Sequence, residues 1–290
     1  MVYFIYRLYS KLSLILPLKV SYWIAVRIGD TVYLLMRKDR QERVRIIKRI
    51  FENKITHKQA QRIIRANFGN FNKDLVDFFR IPRLNKEYLN ACVEVVGQEN
   101  LDAVLGKGRG ALLAGLHMGN GGFAASLLAL KGYSINIVVW QDANKRINRL
   151  FQAIRESKGV KIIYSQHAAK DILEALKRNE IVAVTVDLSG GERDTKLNCW
   201  WKEIRILRGV FVFAQKQDVP ILPGVIIRQS NNSHKIIIGK PVKMEMKQDR
   251  ERGFEEGAAR LFKFFKGYIE EYPEQWHWLR NLWQDAESRQ

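Results

Sequence analysis

Between Gly110 and Asp187 four short apolar runs alternate with helical stretches, and that alternation restricts the fold more than any other feature of the chain. The runs are Gly110–His117, Ile135–Trp140, Val160–Tyr164 and Ile181–Val186. Between them Phe123–Leu130, Arg146–Ser157 and Ala168–Arg178 have helical character. Apolar runs this short, bounded by turn residues, read as buried strands. Strands separated by single helices imply βαβ units. The expected fold class is α/β, a mixed, largely parallel sheet flanked by helices. Asn90–Val96 adds a strand, and Pro220–Ile227 and His234–Gly239 suggest a mixed-sheet edge. Thr56–Phe79 and Glu251–Glu271 read as long helices. The stripe Ile63, Ile64, Phe68, Phe71, Leu75, Phe78 and Phe79 is expected to pack the core.

The first run ends in a histidine, His117, followed by a glycine-rich turn. Open α/β sheets keep their ligand crevices at the carboxyl ends of their strands, so His117 is the leading candidate for a functional residue. The bland alternative is a histidine that caps the strand or meets a headgroup.

The formal net charge of +19 over 290 residues calls for an anionic partner, such as nucleic acid, acidic lipid or an acidic carrier. The chain has no helix-turn-helix, RNA-recognition or zinc signature, and nucleic acid is not expected. Two distant cysteines and five scattered histidines form neither a disulfide framework nor a metal-ligand spacing.

Tyr3 to Met36 is apolar but contains Arg7, Lys11, Lys19, Arg27 and Asp30 and is divided by Pro17. No uncharged run reaches the length of a transmembrane helix. Tyrosine, tryptophan and leucine mixed with spaced basic residues suit a segment lying in a bilayer interface, while a buried helical hairpin is the alternative. No small-residue cleavage site marks a removable signal peptide. Seven basic residues against two acidic ones follow in Arg37–Arg49, which favours an anionic membrane surface. Residues 1–36 are thus expected to be a membrane-associated helical segment, and 37–290 a single α/β domain.

Three patterns in order carry a resemblance. They are His117-Met-Gly-Asn120 after an apolar strand, Asp187-Leu-Ser-Gly-Gly-Glu-Arg193 with Arg208-Gly209 beyond it, and the tail Tyr272-Pro-Glu-Gln-Trp-His-Trp-Leu-Arg280 with Trp283. From about residue 10 to 285 the chain resembles the lysophospholipid acyltransferase superfamily. Within it, the likeness is to the branch of lipid A late acyltransferases and mycobacterial phosphatidylinositol mannoside acyltransferases. The resemblance implies a glycerolipid acyltransferase-like fold at the cytoplasmic face of a bacterial inner membrane. It implies transfer of a fatty acyl chain from acyl carrier protein or coenzyme A to a hydroxyl of a membrane lipid or glycolipid, with no cofactor and no metal. His117 would be the general base and Asn120 would shape the turn. Arg155, Arg193 and Arg208 would meet phosphate or carrier groups, and Asp187 would close a strand at the rim of the site.

One position departs from the family pattern. A glutamate or aspartate normally stands five residues after the histidine, and a tryptophan one before that; here they are Gly122 and Gly121. The acid orients the imidazole and stabilises its cation, which glycine cannot do. Asp187 or Glu192 would have to reach in, His117 would work unaided, or the protein would bind lipid or carrier without transfer. Asp187 also reads as a turn cap, and the arginines as solvated charges. Trp200 and Trp201 read either as an acyl-chain or interface surface or as core. Trp276, Trp278 and Trp283 read as packing, with His277 satisfied among them. His234 carries no motif.

Overall fold

The computed structural model describes residues 2–187, 194–244 and 249–277. In chain order the helices are α1 (Val2–Ile15), α2 (Leu18–Leu35), α3 (Arg37–Ile50), α4 (His57–Arg80), α5 (Lys86–Cys92), α6 (Gln98–Leu105), α7 (Gly121–Leu130), α8 (Lys145–Glu156), α9 (Ala168–Lys177), α10 (Gly209–Gln217) and α11 (Arg250–Glu271). The strands are β1 (Val93–Val96), β2 (Ala111–Gly115), β3 (Ile135–Val139), β4 (Lys161–Tyr164), β5 (Ile181–Thr185), β6 (Thr195–Cys199), β7 (Lys202–Ile206), β8 (Ile221–Arg228) and β9 (His234–Ile238).

Seven strands form one sheet in the order β1-β9-β8-β2-β5-β3-β4. Every pairing in it is parallel except β8 with β9. This is the expected mixed, mostly parallel sheet flanked by helices. Period-two alternation divides each central strand between two cores. Leu112 and Ala114 of β2, with Val225 and Ile227 of β8, face a core built with α3, α9, α10 and α11. Ala111, Leu222 and Ile226 face the opposite one, built with α6, α7, α8 and the end of α4.

Two local expectations are corrected. Asn90–Cys92 is helical, because Asn85 accepts the Tyr88 amide hydrogen and caps a turn that runs on to Cys92 before β1 begins. β8 is not at the edge: it lies between β2 and β9, so β1 and β4 are the outer strands. β6 and β7, for which no strand was expected, pair as a separate antiparallel hairpin, with Leu197, Cys199, Ile204 and Ile206 at its buried positions.

Pro17 separates α1 from α2, since its ring fixes the entry to the second helix. α2 lies along α4 at a glycine contact. A Cβ added to Gly29 would lie 2.8 Å from the Gly69 backbone, whereas one at Gly69 would meet only Val26 side-chain atoms at 3.8 Å or more. Both sites gain the same helix propensity from alanine. Gly29→Ala is therefore expected to be less stable than Gly69→Ala by about 1–3 kcal/mol in chemical denaturation, the cost of overpacking a helix crossing.

Candidate active site

β2 and β5 pair in parallel with Ala111 opposite Ile181 and Gly115 opposite Thr185. The same offset of 70 residues, carried past the strand ends, sets His117 beside Asp187. His117 Nδ1 lies 2.7 Å from Asp187 Oδ1. Asp187 Oδ2 accepts the His117 backbone N–H at 3.0 Å and the Trp276 indole N–H at 3.0 Å. The carboxylate is fully buried. Burial alone would raise its pKa, but the His117 imidazole and these hydrogen bonds outweigh that and hold it below the usual carboxylate range. An anionic Asp187 accepts from Nδ1–H, so the lone pair of the neutral ring is on Nε2. The His117 side chain keeps 26% of its accessible surface.

Gly119 shapes the turn that follows. It has φ +63°, and a Cβ there would stand 2.3 Å from the Ile226 carbonyl oxygen. Asn120 then caps α7, accepting from the Phe123 amide at 3.0 Å, and its Nδ2 donates to the Asp74 carbonyl at 2.7 Å. Asn120 thus ties the turn to α4. At Gly122 a Cβ would meet Asn120 Oδ1 and the Phe78 ring at 3.6 Å, an ordinary contact. The backbone therefore does not require glycine at position 122.

His117 borders a cavity of about 510 Å³ between the sheet and helices α4, α7 and α8. Its walls are chiefly aliphatic and aromatic, among them Leu113, Leu128, Ile137, Ile238, Phe78 and Phe151. Trp140, 77% exposed, stands at its rim. Phe71, Leu75 and Phe78, expected as core, line this space, because the end of α4 crosses over the strand ends.

Among the described residues, Arg155 is the one predicted arginine brought to this cavity. Its guanidinium lies 5.0 Å from the Phe78 ring centroid and 5.7 Å from that of Phe151, and Nε has no hydrogen-bond partner. Burial pushes its pKa down to about 10. Arg208 is not brought there. It pairs with Glu251 at the start of α11 and lies over Phe254. Arg193, Glu192, Trp278, Arg280 and Trp283 lie outside the described residues. Trp200 packs against Phe262 and Trp276, while Arg49 stacks over Trp201. Among the described residues no group of three His, Cys, Asp or Glu is placed to hold a metal ion.

Several polar residues here escape the sequence reading. Arg228 bridges Asp74 and Asp77 of α4, Tyr22 of α2 donates to Asp77 at 2.5 Å, and His234 lies 3.3 Å from Asp77. His277 Nε2 lies 2.6 Å from Asp74 Oδ2. His234 and His277 are thus part of a buried ionic cluster beside the cavity. The only local signal is Asp74 and Asp77, two acids one turn apart inside an apolar helical stripe.

An imidazole–carboxylate pair at the head of an apolar cavity has the form of a site for chemistry on a long-chain substrate. The family model for bacterial lipid A biosynthesis acyltransferases matches residues 1–285, and the chain belongs to that family. It is an acyltransferase. Comparison with curated protein sequences gave no match. Among solved structures the chain is similar to the 1-acyl-sn-glycerophosphate (LPA) acyltransferase PlsC of Thermotoga maritima. That likeness has 16% identity and a TM-score of 0.40, and covers 90% of this chain and 99% of that one.

Proposed function

We propose that this protein is a membrane-surface O-acyltransferase of the lipid A late-acyltransferase type. It moves a fatty acyl chain from an acyl-carrier-protein or coenzyme A thioester to a hydroxyl of a bacterial glycolipid or phospholipid. The observation that carries this reading is the His117–Asp187 pair, 2.7 Å apart, at the head of the apolar cavity. His117 Nε2 takes the proton of the acceptor hydroxyl as its oxygen bonds to the thioester carbon. The resulting oxyanion collapses, the C–S bond breaks, and the imidazolium returns the proton to the departing thiolate. Asp187 holds the ring in the right tautomer and balances its transient charge.

The acyl chain lies in the cavity, where each buried methylene contributes about 0.8 kcal/mol. Arg155, a half-buried cation with no carboxylate partner among the described residues, meets an anionic group of donor or acceptor. The Asp187 carboxylate beside His117 supports transfer over lipid binding without transfer.

The cytoplasmic face of the inner membrane is the proposed location. No described helix is long and apolar enough to cross a membrane. Yet Phe4, Leu8, Ile15, Trp23 and Leu35 on α1 and α2 are more than half exposed, with Arg7, Lys11, Lys19 and Arg27 interspersed. That surface fits an interfacial layer, with the basic residues reaching to anionic headgroups. The deciding experiment gives purified protein an acyl-carrier-protein thioester and a glycolipid or lysophospholipid acceptor in detergent micelles. Ester should form, and His117→Ala should lower the rate by about 10²–10⁴-fold. Unchanged turnover in His117→Ala would remove His117 from the chemistry. Binding to anionic vesicles should survive high salt and yield to detergent.

A further inference from the structure

Met118 and Trp276 form an antiparallel bridge, and on the next rung the His277 amide donates to the His117 carbonyl at 2.9 Å. Gly119 N–H to the Gln275 carbonyl, also 2.9 Å, closes the other side. Residues opposed in this way have their Cβ atoms about 5 Å apart. Two imidazoles therefore border one cavity, each set by its own aspartate: His117 by Asp187, and His277 by Asp74. The two are not equivalent. His277 engages Asp74 through Nε2, and its other ring nitrogen, Nδ1, has no hydrogen-bond partner among the described residues although the side chain is only 6% exposed.

Asp74 is also paired with Arg228, which keeps it an anionic acceptor, and Nε2 carries the hydrogen between them. Nδ1 of the neutral ring is then a lone-pair acceptor. A buried acceptor without a partner is costly unless a ligand satisfies it.

We propose that His277 Nδ1 accepts a hydrogen bond from a second donor group of the acceptor molecule, a hydroxyl or amide N–H beside the hydroxyl that is acylated. This contact selects which hydroxyl reaches His117. The inference rests on the acyl-transfer reading above and narrows its acceptor. Molecules that pair the reactive hydroxyl with a neighbouring donor are used, and simple monohydroxy lipids are poor acceptors.

Three probes of one chain length test this: a dodecyl glyceryl ether with a vicinal diol, its analogue lacking the second hydroxyl, and an N-acylethanolamine with an amide N–H. Wild-type protein should favour one or both two-donor probes over the monohydroxy analogue by roughly tenfold or more in kcat/KM. Which of the two is favoured distinguishes hydroxyl from amide as the source. Two variants separate recognition from structure. His277→Asn keeps an acceptor oxygen where Nδ1 stood but loses the reach to Asp74. His277→Gln keeps the Asp74 partner but puts nothing at the Nδ1 position. The preference should persist in Asn and fall to near unity in Gln, with thermal melts verifying that both are folded.

A preference kept in Gln and lost in Asn would make His277 a structural partner of Asp74 and overturn the proposal. So would equal kcat/KM for all three probes in an active wild-type enzyme. Absence of transfer to any acceptor, in contrast, defeats the acyl-transfer reading. The same probes are therefore also compared by equilibrium binding without thioester. Tighter binding of a two-donor probe, lost in Gln, supports the contact, and equal binding overturns it.

Discussion

Asp187→Asn is expected to lower kcat for acyl transfer by about 10³–10⁴-fold while leaving KM for the thioester little changed. The amide has nearly the shape of the carboxylate but cannot balance an imidazolium. Its NH₂ would also favour the ring tautomer with the lone pair on Nδ1, turning the base nitrogen away from its task. Single-turnover rates measured with acyl-carrier-protein thioester check this, and a loss under tenfold would exclude Asp187 from orienting His117. The change should also alter acid stability. Asp187 has a depressed folded-state pKa, so its stabilising contribution is complete above the unfolded value of about 3.9 and is lost as pH falls through the folded one. The acid-induced decline of wild-type stability should therefore be shallower in the asparagine variant.

Arg228→Met is expected to cost about 3–5 kcal/mol of folding stability, more than the overpacking at the α2–α4 crossing. The methionine keeps much of the side-chain volume, so the loss comes from charge. Asp74 and Asp77 would remain buried between α4 and β8 without their shared cation. Equilibrium urea denaturation at pH 7 checks the magnitude, and a shift under 1 kcal/mol would mean that water or other cations already compensate the pair. Asp74 has a lowered pKa: burial raises it, but Arg228 and His277 outweigh that. Its favourable pairing in the wild type is present above the ordinary carboxylate value and lost on acidification. The gap between wild type and variant should accordingly narrow as pH falls below about 4. Adding Asp77→Asn to the variant should restore part of the lost stability.

The central region was readable because its signals are local. Short apolar runs, helical stretches and caps such as Asn120 act within a few residues, and β2 to β5 lie within a residue or two of the expected runs. The hairpin of β6 and β7 was not read from the sequence, since each strand carries only two or three buried positions over five residues. The missing acid at position 122 marks the boundary of the sequence reading. It left Asp187 or Glu192 as candidates, and no pattern of residues chooses between them.

His117 at the carboxyl end of a buried strand follows from the sequence by itself, as do the parallel α/β character and an exposed apolar, basic N-terminus. The partner of His117 was decided only in three dimensions. The β2–β5 register brings together residues 70 apart in the chain, and register is set by packing across the whole sheet. The same holds for the Asp74–His277 and Asp77–Arg228 pairs, which join residues more than 150 positions apart. Periodicity records which face of an element is buried; which buried faces meet depends on strand order and helix crossings, and these belong to the folded chain as a whole.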